Sequence, residues 1–405
     1  MSVGMFQLKD EEIALQEVIR KFAQEEIKPH VLEMDRAPEG TVNWDLVKKA
    51  CELGMLSGFL PRRYGGTMTG IGACLAVEEL CAVDAGFGLL MAINGMGIAT
   101  IAVSGDKKLA DRFFPPILEG EKKKEPVFCG YAITEPNAGS DVEDNRGSRT
   151  ARLMTTAKKV GDKYIINGRK CFCSAGNIAD WVAVFATLDK DEGVDAWTCF
   201  IVEKGMPGFS IGTIEDKMGQ RACPAAELIF EDVEVPEENR VGPEKGGWKL
   251  NHDILAISRP TVGAFGVGIA RGAYEAALKY ATERYQGGKQ IIEHQMIQQM
   301  LADMATKIEA ARLLCWKAAT TRPASMKLSS MAKVFGTDMS MEVCSNAIQI
   351  MGGYGYMRDY GVEKYLRDAK VNQIMEGTNQ ICRLAIMEGI MEEIGYEYKL
   401  SLIHI

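Results

Sequence analysis

The sequence contains few histidines, and its possible metal ligands do not cluster. Four histidines are spread along 405 residues, and of the eleven cysteines only Cys171 and Cys173 form a close pair. Zinc sites need His and Cys ligands at short, regular spacings, so we expect neither a metal site nor a disulfide framework. An odd number of scattered thiols favours a reducing compartment. The histidines are His30, His252, His294 and His404.

Basic runs and a secretory leader are also missing. The net charge is -8, and no Lys- or Arg-rich stretch is interleaved with aromatic residues, which argues against nucleic acid as a partner. The N-terminal segment is charged from Lys9 onward and lacks the pattern of a signal peptide, so we expect a cytoplasmic protein. Residues 85–104 are long and uncharged enough to cross a bilayer, but their four glycines together with Asn94 and Thr100 indicate a buried core helix instead.

Composition and periodicity predict a multidomain α+β protein. A chain of 405 residues with 47% hydrophobic content can bury two or three cores. Helical spacing dominates 1–125, alternating runs separated by Gly, Asn and Asp predict an antiparallel β domain over 126–243, and long apolar helices typical of a bundle fill 244–405. The predicted helices are 10–36, 43–55, 69–83, 86–104, 107–119, 248–285, 293–319, 326–351, 360–374 and 378–393.

Two motif matches point to other enzyme classes but have the wrong context. Residues 208–212 fit the G-x-S-x-G pattern of hydrolases, which requires a turn into a helix, whereas the alternation of Phe209 and Ile211 continues a strand. The glycines of 266–272 fit part of a dinucleotide-binding loop, but they lie within a helical run that no strand precedes. We attribute these glycines to close helix packing.

A single carboxylate stands out in the segment 365–383. Glu376 precedes Gly377, which breaks the helical pattern, and Thr378 can cap the helix that follows. We therefore expect Glu376 to project from a joint between two helices, with apolar Ile374 and Met375 beside it. An apolar setting disfavours a charged carboxylate and suits proton abstraction near neutral pH. From this segment alone, an ordinary solvated glutamate at a helix end is the alternative.

Two further stretches contain small residues where a ligand can approach. Residues 132–141, AITEPNAGSD, end a strand in a loop whose backbone N–H groups and hydroxyls, from Thr134 and Ser140, suit a planar or phosphate-bearing ligand. A plain turn is the alternative. Residues 349–356, QIMGGYGY, follow a helix and precede Asp359, Lys364 and Asp368.

Together these two stretches resemble both signatures of the acyl-CoA dehydrogenase family, flavin enzymes that make α,β-unsaturated acyl-CoA thioesters. The likeness covers essentially the whole chain, including the MEGTNQ segment that contains Glu376. It implies an N-terminal α-helical domain, a middle β domain and a C-terminal helical bundle. It also implies FAD as cofactor, an acyl-CoA substrate in fatty acid β-oxidation, electron-transfer flavoprotein as electron acceptor, and a homotetramer.

The resemblance implies roles for individual residues. Glu376 matches the catalytic base that takes the α-proton while a hydride passes to flavin N5, and Ser258 occupies an alternative base position where it cannot serve. The backbone N–H of Glu376 would polarise the thioester carbonyl. Residues implied at the flavin ring are Tyr131, Ile133, Thr134, Gly139, Ser140, Phe172 and Ser174. Those implied along the adenine and pyrophosphate end are Arg284, Gln295, Gln349, Gly352, Gly353, Thr378 and Gln380. Implied substrate contacts are Ser140, Arg259 at the CoA end, and Gly377.

Several positions depart from the family pattern. Gly287 replaces a Phe that grips FAD across the subunit boundary, Ala256 replaces an acidic residue near CoA, and Met375 replaces an aromatic before the base. The segment 143–156 is longer than usual and either meets CoA phosphates or forms a solvated loop; its arginines are Arg146, Arg149 and Arg152.

The stretch from Val83 to Ser104 bears on the choice of substrate. No arginine lies between Val83 and Ser104 to hold a distal carboxylate, which disfavours a dicarboxylic substrate. Asp84 is either a second acid or a helix-end residue. An acyl-CoA oxidase or enoyl-CoA reductase on the same fold is the alternative function, and a catalytically idle binding relative is a third.

Overall fold

The N-terminal region is helical, as predicted. The computed structural model describes residues 8–143 and 152–396. The predicted helix 10–36 is one helical path that changes geometry over 23–30, where Pro29 has no N–H to donate and the chain forms a wider π turn followed by a 3-10 turn. The helices are α1 (Asp10–Phe22), α2 (Val31–Arg36), α3 (Trp44–Cys51), α4 (Gly70–Cys81), α5 (Ala85–Ala92), α6 (Asn94–Ser104) and α7 (Lys107–Lys123).

The middle region is a sheet with the order β6-β7-β3-β2-β4-β5-β8, and β1 also pairs with β4. The predicted antiparallel pairing holds for most neighbouring strands. The sheet is nevertheless mixed, because β1 runs parallel to β4 and β2 meets β4 in parallel at Thr156 and Thr187. Alternation within a strand reports its buried face but not the direction of its neighbour. The strands are β1 (Cys129–Ala132), β2 (Thr156–Val160), β3 (Lys163–Ser174), β4 (Trp181–Thr187), β5 (Trp197–Glu203), β6 (Phe209–Ile214), β7 (Ala225–Pro236) and β8 (Arg240–Val241).

The C-terminal region is a bundle of long helices around a 37-residue helix, α8. A two-stranded hairpin follows α8, and its strands are joined by Gly287 and Gly288. The helices are α8 (Gly247–Glu283), α9 (Gln295–Thr320), α10 (Met326–Met351), α11 (Val362–Asn372) and α12 (Asn379–Glu393), and the hairpin strands are β9 (Tyr285–Gln286) and β10 (Lys289–Gln290).

Two stretches of the described chain have the length and apolarity of membrane-crossing helices, Ala85–Ser104 and Gly247–Glu283. In the fold, 67% and 78% of their most apolar windows are buried within the protein, so these side chains belong to its core. The first stretch is divided at Ile93 into α5 and α6. All eleven cysteines are buried as free thiols.

The glycines of α8 allow neighbouring helices to approach it closely. A Cβ added at Gly266 would lie 2.4 Å from the carbonyl oxygen of Gly336, and one at Gly268 would lie 2.5 Å from that of Glu78. These distances are too short for any side chain, so the packing interpretation of this glycine run is confirmed. The G-x-S-x-G match lies in strand β6, also as predicted.

A buried charge cluster joins all three regions. Lys364 on α11 lies 2.6 Å from Asp368 and 2.9 Å from Asp84, and Asp368 accepts a 2.6 Å hydrogen bond from the backbone N–H of Gln220. Burial works against the charge on Lys364, but the two carboxylates outweigh it and raise the pKa of the ammonium. Asp84 also caps α5 by accepting from the N–H of Phe87 at 2.7 Å. Its helix-end role is therefore confirmed.

Adding one methyl group to the α8 glycine run should test its packing role. Gly268→Ala is expected to lower the free energy of unfolding by about 1–3 kcal/mol, because the new Cβ meets backbone atoms that cannot move cheaply. Lys279→Ala on the same helix adds no atom to the core and should stay within about 0.5 kcal/mol of the parent. Chemical denaturation followed by circular dichroism measures both, and equal stability of the two variants would contradict the packing role.

Candidate active site

The candidate base lies in a short loop between two helices. Helix α11 ends at Asn372, α12 begins at Asn379, and Thr378 caps α12 by accepting from the N–H of Ile381 at 3.4 Å. Within this loop Glu376 has a φ of +52° and Gly377 a φ of +87°. Left-handed backbone is uncommon for a residue with a side chain and is concentrated at functional sites. The predicted joint between two helices is confirmed.

Helix α8 contacts the side chain and the backbone of Glu376. The hydroxyl of Ser258 donates to Oε2 of the Glu376 carboxylate at 2.5 Å, and Nε of Arg259 donates to its carbonyl oxygen at 3.0 Å. Arg259 is only 1% exposed, and its Nη1 also donates to the hydroxyl of Ser330 at 3.0 Å. The structure therefore gives Arg259 a supporting contact with the base, whereas its contact with CoA stays a prediction.

The predicted flavin loop contacts the base loop directly. The backbone N–H of Thr378 donates to the hydroxyl of Ser140 at 3.0 Å, although 238 residues separate them. The carbonyl of Thr134 accepts from the N–H of Cys171 at 2.9 Å, which attaches the same loop to strand β3. The loop 132–141 and the segment 365–383, which the sequence singled out separately, are thus brought into contact.

A buried ion pair that the sequence analysis missed holds the flavin loop. Lys170 Nζ lies 2.7 Å from Oε1 of Glu135 and donates to the carbonyl of Ile133 at 2.9 Å. Glu135 also accepts from the N–H groups of Met154 and Thr155. Burial opposes the charge on Glu135, but Lys170 and these donors outweigh it and lower the pKa of the carboxyl. The available signal was a lysine placed directly before the apolar residues CFC of strand β3.

Phe172 presents an aromatic ring to solvent from an irregular part of β3. Its φ is +58°, its side chain is 64% exposed, and the register of β3 against β7 shifts between Lys170 and Cys173. A bulge of this kind turns a side chain away from the pleat. The exposed ring, half-buried Ser174 and the loop hydroxyls offer an apolar plate and hydrogen-bonding groups, which are the features a flavin ring requires.

The remaining ring-end residues lie on strand β1 and in the loop that follows it. Tyr131 is half-buried and donates its hydroxyl to Oδ1 of Asn251 at 2.5 Å. Ile133 and Thr134 are also half-buried, and the N–H of Gly139 donates to Oδ1 of Asp141 at 2.7 Å. Strand β1 and its loop therefore present both polar groups and half-buried apolar side chains.

Most of the residues implied at the adenine end line a separate cavity of about 1000 Å³. Arg284, Gln295, Gly352 and Gly353 contribute to it, and a Cβ at either glycine would meet nothing within 4 Å. The other three implied residues do not line this cavity: Gln349 and Gln380 are exposed, and Thr378 caps α12 in the base loop.

The Gly287 departure has a local structural reason. Gly287 and Gly288 have φ values of +64° and +85° in the two-residue turn between β9 and β10. Such turns require positive φ at both positions, which glycine adopts without strain. A Cβ at Gly287 would also lie 3.2 Å from the ring of His294.

The long segment after β1 is only partly described. Arg146 and Arg149 lie outside the described residues. Arg152 lies within them, where Nη1 is 3.6 Å from Oδ1 of Asp191 and both side chains are exposed. This contact supports the solvated-loop alternative for Arg152. In the part of the chain from 8 to 143 and from 152 to 396, no group of three or more His, Cys, Asp or Glu residues could hold a metal ion.

Three family models match successive parts of the chain. The acyl-CoA dehydrogenase N-terminal domain matches residues 9–121, the middle domain 130–233 and the C-terminal domain 245–391. The chain belongs to the acyl-CoA dehydrogenase family. The family and the fold class expected from the sequence are confirmed.

Relatives match this acyl-CoA dehydrogenase chain over nearly its full length. It is 41% identical over 386 residues to cyclohex-1-ene-1-carbonyl-CoA dehydrogenase of Syntrophus aciditrophicus (strain SB), covering 94% of this chain and 90% of the relative. It is 38% identical over 394 residues to cyclohexane-1-carbonyl-CoA dehydrogenase of Geobacter metallireducens, covering 96% and 100%. These similarities support acyl-CoA dehydrogenase activity, the enzyme class expected from the sequence.

Solved structures share the whole architecture. Butyryl-CoA dehydrogenase from Megasphaera elsdenii has a TM-score of 0.88 and 35% identity, covering 95% of this chain and 99% of that chain. A chain in a structure described as electron transferring flavoprotein of Acidaminococcus fermentans has a TM-score of 0.88 and 42% identity, with the same coverage.

The buried Glu135–Lys170 pair should behave as a unit. Lys170→Met or Glu135→Gln alone is expected to lower the free energy of unfolding by about 3–5 kcal/mol, because the remaining charge loses its counter-ion. The double variant should recover much of that loss, since no lone charge remains. Lys163 lies on the same strand as Lys170 and forms an exposed pair with Glu234 of β7, so Lys163→Met should cost under about 1 kcal/mol. Denaturant titration of all four variants measures these losses in the free energy of unfolding. A double variant as unstable as the worse single variant would refute the coupling between Glu135 and Lys170.

Proposed function

We propose that this protein is an FAD-dependent acyl-CoA dehydrogenase in which Glu376 is the catalytic base. The observation that supports this most strongly is the loop between α11 and α12. Glu376 has a left-handed backbone there and its carboxylate contacts α8, and the same loop contacts the predicted flavin loop through Thr378. Its carboxylate accepts from Ser258, so its orientation is defined before substrate binds. A base held in one orientation avoids reorganisation during proton transfer.

The residues of this chain would accept the α-proton and stabilise the negative charge that develops on the thioester oxygen. The α-proton of a thioester is weakly acidic, so its carbonyl oxygen needs fixed donors as negative charge builds up. Glu376 takes that proton on its carboxylate while its backbone N–H is the proposed donor to the thioester oxygen. When bound, FAD supplies the acceptor for the hydride that leaves the β-carbon. Partial enclosure of the loop limits water and strengthens these interactions.

The residues present fit FAD at both ends. The exposed ring of Phe172 and the hydroxyls of Thr134 and Ser140 suit the flavin, while Arg284 and the Gly352–Gly353 pair suit a dinucleotide. Ser258 lies on α8 and Arg284 directly follows the end of this helix, 26 residues later, which is about 39 Å at 1.5 Å per residue. This separation supports an arrangement in which one FAD contacts the ring end of one subunit and the adenine end of a partner. We therefore propose a homo-oligomer, a tetramer by analogy with the family.

We infer a cyclic acyl group on the substrate, and electron-transfer flavoprotein as the electron acceptor. The inference on the substrate is supported by the names of the two relatives above, and the inference on the acceptor by the Acidaminococcus fermentans structure. The lack of any arginine between Val83 and Ser104 disfavours a distal carboxylate on the acyl chain.

Removing the negative charge of the base should abolish turnover while leaving the protein intact. Glu376→Gln is expected to keep bound FAD and to reduce flavin bleaching by acyl-CoA at least about 100-fold, because general base catalysis is lost. Glu392→Gln makes the same change at the exposed end of α12 and should bleach at the parent rate. Anaerobic stopped-flow absorbance measures both variants. A Glu376→Gln protein with parent activity would reject the proposed base.

A panel of acyl-CoA thioesters tests the proposed substrate class. Anaerobic mixing with cyclohexanecarbonyl-CoA, cyclohex-1-enecarbonyl-CoA, butyryl-CoA and glutaryl-CoA should bleach the flavin fastest with one of the two cyclic thioesters and slowest with glutaryl-CoA. Faster reduction by butyryl-CoA would replace the cyclic assignment with a straight-chain one. Rapid bleaching by glutaryl-CoA would contradict the argument from the missing arginine.

A further inference from the structure

Helix α10 contains a polar stripe that is completely buried. Its residues recur about every three or four positions, so they share one face of the helix. Buried polar groups cost free energy unless they are hydrogen-bonded, so the partners of this stripe indicate its purpose. Several of those partners belong to the loop that contains Glu376 or to the adjoining part of α8. The stripe consists of Ser329, Ser330, Lys333, Thr337 and Ser340, each 0% exposed.

Lys333 is the cation at the centre of this stripe. Its Nζ donates to the carbonyl of Gly377 at 2.7 Å and to Oδ1 of Asn379 at 2.7 Å. The preceding carbonyl, that of Glu376, accepts from Arg259 at 3.0 Å. Two buried cations from two helices thus bind two consecutive carbonyls at the left-handed turn. Hydrogen bonds to charged donors are stronger than neutral ones, so this pair opposes relaxation of the turn.

The other charged groups around the loop are arranged on α10 and α12. Asp338 accepts from Asn379 at 2.7 Å, from Gln373 at 2.6 Å and from Arg383 at 2.6 Å. Burial raises the pKa of Asp338, but Arg383 and the two amides outweigh it and lower the pKa overall, which keeps this carboxylate ionised. The thiol of Cys382 lies 3.6 Å from the Gly377 carbonyl.

We propose that Lys333 is a positioning residue whose fixed positive charge holds the Glu376–Gly377 turn and keeps the Glu376 carboxylate in its proton-accepting form. The proposal rests on the proposed function of Glu376 as base. Lys333 is 0% exposed and acts through the loop backbone. In a water-poor interior a neighbouring positive charge favours the anionic carboxylate far more strongly than it would in solvent. Removal of that charge should therefore make Glu376 easier to protonate.

The holoenzyme with Lys333→Met tests this role through pH dependence. Methionine fills nearly the same space without the charge. The acid limb, the low-pH side of the profile of flavin-reduction rate against pH, should therefore move up by about one pH unit. The KM should stay close to that of the parent. Lys333→Arg keeps the charge, so its acid limb should stay at the parent position even if its maximal rate falls. Lys327→Met, six residues earlier on α10 at an ion pair with Glu393, should leave the profile unchanged.

A second measurement needs no substrate. Infrared difference spectra between each holoenzyme and its Glu376→Gln derivative isolate the carboxyl band of Glu376, and in Lys333→Met the protonated band should appear at higher pH than in the parent. If no acyl-CoA bleaches the parent flavin, the proposed function fails, but this titration still decides the role of Lys333. A folded, FAD-loaded Lys333→Met protein with an unmoved acid limb and carboxyl band would overturn the proposal. A displaced limb in Lys333→Arg would overturn it as well, even if Lys333→Met did not fold.

Discussion

The left-handed backbone at Glu376 is the constraint on which the site depends. A side chain at a φ of +52° is unfavourable by itself, on the order of 1 kcal/mol or more, and persists only where the surroundings determine it. Thr378 caps the next helix, and Arg259 and Lys333 bind the two carbonyls of the turn. The conformation that orients the base is therefore held by the cap of α12 and by two buried cations, which are 1% and 0% exposed.

Contacts from every region of the chain converge on this loop and its helices. Ser140 joins the loop to the middle region, and the Asp84–Lys364–Asp368 cluster with Gln220 anchors α11 to α5 and to the sheet region. Buried charges of this kind stabilise only when they are paired, so the three regions cannot shift independently without exposing a lone charge. The position of the base relative to the flavin loop follows from that linkage.

Much of the fold could be read from local patterns. Apolar periodicity identified nearly every helix, because amphipathic packing acts over a few residues. Glu376 and the 132–141 loop stood out through Gly377, Thr378 and a run of small residues, together with the family resemblance. The parallel pairing of β1 with β4 was not predicted. Alternation of apolar residues shows which face of a strand is buried, but it does not show which strand lies next to it or in which direction.

The sequence by itself determined the order of helical and strand regions, the family and the identity of the candidate base. Only the tertiary structure decided which buried polar groups support that base. Lys333, 43 residues before Glu376, and Lys170, 35 residues after Glu135, have no local feature that identifies their partners. A hydrogen bond between distant segments arises from the packing of whole helices and strands, and that packing is set by burial throughout the core.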